Sequence, residues 1–148
     1  MCKVDNKKVY RIIDANFNRA KEGLRVCEDI CRFIIDAKKA TKEFKIVRHK
    51  LTEIIGSFKI LKFIDSRDIE NDVGKGSMAS EFQRKQISDI FYANSQRVKE
   101  SIRVLEEMLK IINKRHAEQL KGLRYKIYGL EKEIIKKFQV VSDFRCSS

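Results

Sequence analysis

Arginine, lysine and glutamate side chains recur at matching positions in two stretches of this chain. NFNRAKEGLRVCED begins at Asn16 and NSQRVKESIRVLEE begins at Asn94, 78 residues later, and seven of their fourteen positions are identical. A repeat that serves packing alone is expected to keep its apolar residues and to vary its charges. Guanidinium and ammonium groups are well suited to bind phosphate, so the retained charges are explained either by an anionic ligand or by a structural network of ion pairs and hydrogen bonds.

A second, shorter repeat supplies two further arginines. FKIVRHKL contains Arg48 and His49, and LKGLRYKI contains Arg124, which follows Arg48 by 76 residues. If these arginines face the helices that carry Arg19 and Arg97, up to four guanidinium groups gather in one bundle, and phosphate is the expected counter-charge. A lone histidine such as His49 is more often a hydrogen-bonded polar group than a catalyst.

The stretch DSRDIENDVGKGSMAS separates the repeats and is rich in Gly, Ser, Asp and Asn. Loops of this length in a compact domain are often functional. The fragment GKGS lacks the phosphate-loop pattern GxxxxGK[ST], and no strand precedes it, so a Walker motif is excluded. Asp68 and Asp72 could bind Mg²⁺, which takes one or two carboxylates together with phosphate oxygens. A solvated connector is the alternative.

Long helices are the elements that must position these residues. The chain has no proline, no tryptophan and only six glycines, which favours uninterrupted helices. Apolar spacing predicts helices from about Asp5 to Asp36, Lys39 to Phe63, Ile87 to Ile112 and His116 to Phe138. The prediction is a single all-α domain, 1–148: a four-to-five-helix bundle of two pseudo-symmetric hairpins, about 8–63 and 84–138, joined by the glycine-containing loop 64–80.

The first repeat places polar residues on the apolar side of its helices. Helical projection puts Asn16 and Asn94 in the middle of the apolar stripe and the arginines three residues later at its edge. Burying such groups without partners would cost on the order of several kcal/mol. In a structural interpretation, the two asparagines hydrogen-bond across the pseudo-dyad and Arg19 pairs with Glu22 or Glu100. In a functional one, a polar pocket between the hairpins binds an anion.

The other repeated charges, Lys21 and Arg25 with Glu28, fall on the opposite side of the first helix. We expect them to form a solvated face with intrahelical ion pairs. Their retention in the second copy argues against this interpretation, because exposed ion pairs stabilise too little to be kept for stability alone. A structural network is the interpretation for Arg25 and Glu28, and for Arg103 and Glu106 in the second copy.

The composition restricts the classes of partner. A formal net charge of +12 over 148 residues favours nucleic acid, an anionic membrane or small phosphorylated ligands. Mixed charges without a basic tail argue against nucleic acid. No apolar run of eighteen residues and no signal peptide is present, so a cytoplasmic, non-membrane protein is expected. Two histidines and no CxxC motif disfavour a zinc site, and Cys27 and Cys31 are expected to be buried and reduced.

Five ordered motifs together resemble a known family. DANFNRAKEGLRVCED, VRHKL, SRDIENDVG, ANSQRVKESIRVLEE and LRYKIYGLEK closely resemble the helical hydroxymethylpyrimidine-phosphate kinase domain that is usually fused ahead of thiamin-phosphate synthase. The similarity runs from about Tyr10 to Lys132. It implies transfer of the γ-phosphoryl group of ATP to hydroxymethylpyrimidine phosphate in thiamin biosynthesis, with Mg²⁺. The synthase barrel is missing, so a stand-alone protein and a fragment of a fusion are both open.

The resemblance also implies a set of site residues. Arginines are expected to hold phosphates (Arg19, Arg48, Arg97 and Arg124), and loop residues to serve catalysis and the metal (Arg67, Asp68 and Asp72, the two carboxylates binding Mg²⁺). Asn16 and Asn94 would contact the pyrimidine or orient the arginines, and Glu22, Glu100, His49 and Gly74 complete the substrate-binding set. The alternatives are a non-catalytic module that binds thiamin intermediates or docks on thiamin-phosphate synthase, and a nucleic-acid-binding bundle. A homodimer is compatible with all three.

Overall fold

The structure, a computed structural model, describes residues 5–58, 60–76 and 83–146, without the side chains of 60 and 141–146. Its helices are α1 (Asn6–Phe33), α2 (Lys38–Gly56), α3 (Ile60–Ile64), α4 (Ile87–Leu109) and α5 (Lys114–Cys146). The described residues form no strand. The predicted all-α class and the bundle of four to five helices are therefore confirmed. None of the described helices is long and apolar enough to span a membrane.

The helix boundaries differ from the prediction at two places. The predicted second helix, Lys39 to Phe63, is divided into α2 and α3. Helix α2 ends at the exposed Gly56, and the hydroxyl of the next residue, Ser57, donates a hydrogen bond to the carbonyl of Ile54. Glycine and serine both weaken a helix interior. The predicted fourth helix is α5, and it continues past Phe138 because no glycine or proline follows to end it. Asn113 caps the beginning of α5, since its side chain accepts a hydrogen bond from the N–H of His116.

Helices α1 and α4 form the central pair of the bundle and run in opposite directions. Cys27 lies by Phe91, with its sulfur 3.9 Å from the backbone oxygen, whereas Gly23 lies by Asn94 and Val98. The helices approach so closely that a Cβ atom on Gly23 would lie 2.7 Å from Val98 Cγ2.

The remaining helices cover one side of this pair. Helix α2 packs on α1, α5 packs on α4, and α2 contacts α5 to complete four helices around a common core. Phe44 and Phe91 meet edge to face in that core, with ring centroids 6.0 Å apart. The short α3 is held on α1 by the ring contact of Tyr10 with Phe63, at 5.7 Å. Cys27 and Cys31 are buried and free, as predicted.

Candidate functional site

A buried glutamate joins the two helices of the first hairpin. Glu28 is only 4% exposed, and its carboxylate accepts a hydrogen bond from Arg48 of α2 at 2.9 Å and contacts Arg25 of α1 at 3.5 Å. We call Arg25, Glu28 and Arg48 the first hub. The expectation that Glu28 lies on a solvated face is wrong, because α1 contacts α2 as well as α4 and its buried arc extends beyond the apolar stripe.

The second hairpin contains an equivalent hub of Arg103, Glu106 and Arg124. Glu106 is 2% exposed; Arg124 donates to it from Nε at 2.5 Å and from Nη2 at 3.4 Å, and Arg103 contacts it at 3.3 Å. The bond to Glu106 raises the pKa of Arg124. Because Arg48 and Arg124 each bind the glutamate of their own hairpin, the expected convergence of four arginines in one pocket does not occur.

An open depression of about 500 Å³ lies over the first hub, between α1 and α2. We call it the α1–α2 groove, and its lining residues are Asn18, Lys21, Glu22, Arg25 and Arg48. Lys21 is half-buried, with its ammonium 5.2 Å from the centroid of the Phe17 ring, and it has no carboxylate partner among the described residues. A groove with more cations than carboxylates is suited to bind an anion.

The start of the central loop is anchored to α1 next to this groove. Arg67 binds the carboxylate of Asp14 through two hydrogen bonds, of 2.6 Å from Nε and 2.9 Å from Nη2, and this contact raises the pKa of Arg67. Asn18, which lines the groove, donates to the same carboxylate at 3.2 Å. Arg11 donates to the backbone oxygen of Asp68 at 3.0 Å. The loop therefore reaches α1 one helical turn before the groove.

A second depression, of about 280 Å³, lies where the loop meets the beginning of α1. We call it the loop depression; it is lined by Asp5, Lys7, Lys8, Arg11, Ser66, Arg67 and Asp68. Four of these seven residues are cations. Since a helix rises 1.5 Å per residue, Arg11 and Asn18 lie about 10 Å apart along α1. One helix thus carries two neighbouring depressions that are suited to anionic groups.

The two loop carboxylates are bonded to their own segment. Asp68 accepts hydrogen bonds from the backbone and side-chain nitrogens of Asn71, which lower its pKa, and Asp72 accepts the N–H of Gly74 at 3.0 Å. No group of three or more His, Cys, Asp or Glu side chains in the described part of the chain is placed to hold a metal. The residues present therefore fit Mg²⁺ only as one or two ligands that act together with phosphate oxygens.

Asn16 is buried and Asn94 is half-buried, as their positions on the apolar stripe predicted, but the partners of both and the placement of the neighbouring arginines differ from the prediction. Asn16 and Asn94 each donate to a carbonyl of their own helix, at 2.9 Å and 2.8 Å, instead of bonding to each other. Arg19 and Arg97 are exposed and form no ion pair with any described residue. The prediction that these arginines point into the bundle is wrong, because the α1–α4 pair is covered by other helices on one side only.

The other predicted residues are divided between the groove and the rest of the surface. Glu22 and its counterpart Glu100 are both exposed, and Glu22 lines the α1–α2 groove with Arg48. His49 is exposed and lines a separate depression on α2 with Lys42 and Lys45. The structure thus brings one member of the RH motif, Arg48, to the groove and points the other away from it.

Sequence analysis predicted Arg67 as a site residue but missed its partner Asp14 and the lysine of the groove. Asp14 has no acidic counterpart in the second repeat, where Tyr92 stands at its position, so the repeat contained no signal for it. Lys21 is retained as Lys99, and this retention was a usable signal that helical projection alone assigned to solvent.

The chain was compared with known proteins. The sequence profile of the ThiD2 family matches residues 11–133. Similar curated proteins are thiamine-phosphate synthases: that of Rhodopirellula baltica is 36% identical over 135 residues, which are 90% of this chain and 36% of that protein. Those of Nostoc sp. and Synechocystis sp. are each 36% identical over 128 residues, or 86% of this chain and 35% and 36% of those proteins.

The chain spans about a third of the length of these relatives. No solved structure was found to match it.

Proposed function

Because the chain belongs to the ThiD2 family, we propose that it transfers the γ-phosphoryl group of ATP to hydroxymethylpyrimidine phosphate. An oxygen of the acceptor phosphate forms a bond to the γ-phosphorus, the bond to the β-phosphate oxygen breaks, and ADP leaves. The product is hydroxymethylpyrimidine pyrophosphate. The proposal is supported by relatives that are thiamine-phosphate synthases, and by the cationic surface along α1.

The α1–α2 groove is the observation that carries the proposal. Arg25 and Arg48 are held in place by the buried Glu28 before any ligand binds, and such preorganised cations stabilise developing negative charge most effectively. The acceptor is itself a phosphate and is nucleophilic without removal of a proton, so no catalytic histidine is needed. Phosphoryl transfer depends mainly on positioning and charge neutralisation, which this surface is suited to supply.

The loop depression is the proposed site for the second anionic substrate. Lys7, Lys8 and Arg11 offer cations there, and Arg67 is oriented by its two bonds to Asp14. Asp68 or Asp72 would hold Mg²⁺ together with phosphate oxygens; the ion, when bound, neutralises charge on the transferred phosphoryl group. In this arrangement the two substrates lie along one face of α1, and Asp14 and Asn18 lie between them.

The direct test is turnover of hydroxymethylpyrimidine phosphate by the whole chain with ATP and Mg²⁺, measured by chromatography of the pyrophosphate. Arg25 and its counterpart Arg103 form a matched pair, since their side chains are 56% and 53% exposed and both contact a buried glutamate. We expect Arg25→Gln to lower kcat/KM at least tenfold and Arg103→Gln to leave it within twofold. Absence of turnover by folded wild-type protein would overturn the proposal.

A non-catalytic module that docks on thiamine-phosphate synthase is the second candidate. It is favoured by the matched region, which is about a third of each of the relatives. The module requires no metal, so Asp72→Ala would leave the affinity for hydroxymethylpyrimidine phosphate unchanged and no variant would turn over ATP. The kinase requires that Asp72→Ala or Asp68→Ala lower the Mg²⁺-dependent rate.

A further inference from the structure

The second hairpin has its own version of the α1–α2 groove, between α4 and α5, and this one is filled by side chains of the protein. Lys99 occupies the repeat position of Lys21 and is buried. Its ammonium lies 2.9 Å from the carboxylate of Glu131 and 4.4 Å from the centroid of the Tyr128 ring. The same carboxylate accepts a hydrogen bond from the hydroxyl of Ser95. The lysine of the second groove is therefore paired within the chain.

In the first hairpin, no carboxylate of a described residue is paired with the lysine at the equivalent position. At the repeat positions of the glutamate, the serine and the tyrosine around Lys99, the first hairpin has Ile55, Phe17 and Thr52. None of these residues carries a negative charge. Lys21 stands at the same helical position as Lys99, and among the described residues its ammonium contacts the Phe17 ring and no carboxylate.

The charge of the two grooves differs accordingly. In the α1–α2 groove and its hub, three cations face two carboxylates: Lys21, Arg25 and Arg48 against Glu22 and Glu28. At the equivalent positions, the second hairpin has three cations and two carboxylates, and Glu131 adds a third carboxylate. The cations are Lys99, Arg103 and Arg124, and the carboxylates are Glu100, Glu106 and Glu131. Glu107, 3.1 Å from Arg103, adds a fourth carboxylate, whereas its repeat counterpart Asp29 forms no ion pair with any described residue of the first hairpin. Among the described residues of the two grooves, Lys21 is therefore the cation without a carboxylate partner.

We propose that Lys21 is the residue that binds the phosphate of a ligand in the α1–α2 groove, and that Glu131 occupies the corresponding place in the second groove. Each chain then has one such site, in its first hairpin. The half-buried ammonium of Lys21 is partly shielded from water, which strengthens its attraction to an anion. The assignment deepens the proposed function and rests on it for the identity of the ligand, but binding of a simple phosphate tests it without any turnover.

The test is titration of the whole chain with inorganic diphosphate, by isothermal calorimetry at constant low ionic strength. We expect two sites per chain for the wild type, one in the α1–α2 groove and one in the loop depression. Lys21→Met should weaken binding at the groove site at least tenfold, leave the other site unchanged and keep the melting temperature within about 2 °C. Lys99→Met, the matched control, should leave the affinity within twofold and lower the melting temperature, because the carboxylate of Glu131 loses its partner.

Glu131→Ala provides an independent measurement, since removal of the carboxylate frees Lys99 and should add one site per chain to the two of the wild type. The proposal is overturned if Lys21→Met binds diphosphate as the wild type does, or if wild-type protein binds none. It is also overturned if Lys99→Met loses a site. Should diphosphate bind through Lys21 while no pyrophosphate product forms in the kinase assay, the proposed function fails and the assignment of the site stands.

Discussion

Replacement of Glu28 by glutamine should destabilise the protein strongly, although it only replaces one carboxylate oxygen by an amide NH2 group and so removes the negative charge. Glu28 is 4% exposed, and the side chain of its partner Arg48 is 16% exposed. Glutamine fills the same volume but leaves the Arg48 guanidinium buried without a counter-charge. Breaking a buried ion pair from one side costs about 3–5 kcal/mol. We expect about 2–3 kcal/mol here, because Arg48 retains some contact with water and the amide oxygen can still accept one hydrogen bond.

The expected change in melting temperature follows from the size of the chain. At about 2.1 cal/mol/K per residue, 148 residues give an unfolding entropy near 0.3 kcal/mol/K, so 2–3 kcal/mol lowers the melting temperature by about 7–10 °C. Glu106→Gln should cost at least as much, because Arg124 donates two hydrogen bonds to that carboxylate. Circular dichroism melts and urea titrations at neutral pH measure both effects.

A double-mutant cycle separates the ion pair from packing. When Glu28→Gln is combined with Arg48→Met, no unpaired charge remains, so the double variant should be more stable than the sum of the two single changes by at least 1 kcal/mol, about what a broken buried pair predicts. The reasoning is refuted if Glu28→Gln unfolds within 2 °C of the wild type, or if the two single effects simply add.

Two further predictions concern the core. Gly23→Ala should destabilise the fold by about 1–2 kcal/mol in urea titrations, because its methyl group would meet Val98 Cγ2 at 2.7 Å and overpacking outweighs the gain in helix propensity. Gly122→Ala is the control: its methyl group would have no atom within 4 Å, so the change should stabilise the fold by about 0.5–1 kcal/mol. Equal effects of the two changes would contradict the close approach of α1 and α4. Burial raises the pKa of the Cys27 and Cys31 thiols, that of Cys31 to about 12. In a variant whose Cys2 and Cys146 are replaced by serine, Cys27 and Cys31 should react with a thiol reagent at pH 8 only at the rate of unfolding. Fast labelling of the folded protein would count against their burial.

The fold followed from local patterns of the sequence. Apolar residues at helical spacing and the absence of proline predicted the long helices, and the duplicated motif lies on α1 and α4, which form the antiparallel central pair. These features depend on neighbouring residues along the chain or on comparison of the chain with itself. The family was also accessible, because five ordered motifs are more specific than any one of them, and the match to the ThiD2 family over residues 11–133 agrees with the region that the motifs covered.

The residues of the α1–α2 groove could be predicted from the sequence only in part. Arg48 and Glu22 were predicted from the repeats and do line it, yet Arg19 and Arg97 were expected inside the bundle and are exposed. Helical projection treats each helix as if it had one buried side. It does not show that both α4 and α2 pack against α1. Because α1 is covered by two helices, Glu28 is buried, whereas Arg19 lies on a part of α1 that is exposed.

The contacts between distant parts of the chain were beyond the sequence altogether. The bond of Arg67 to Asp14 joins residues more than fifty positions apart, and neither residue has a pattern that predicts it. The difference between Lys21 and Lys99 is of the same kind, because the two lysines are identical in type and repeat position. The sequence shows Ile55 at the repeat position of Glu131, but only the packing of α5 against α4 shows that Glu131 reaches Lys99, while no carboxylate of a described residue pairs with Lys21.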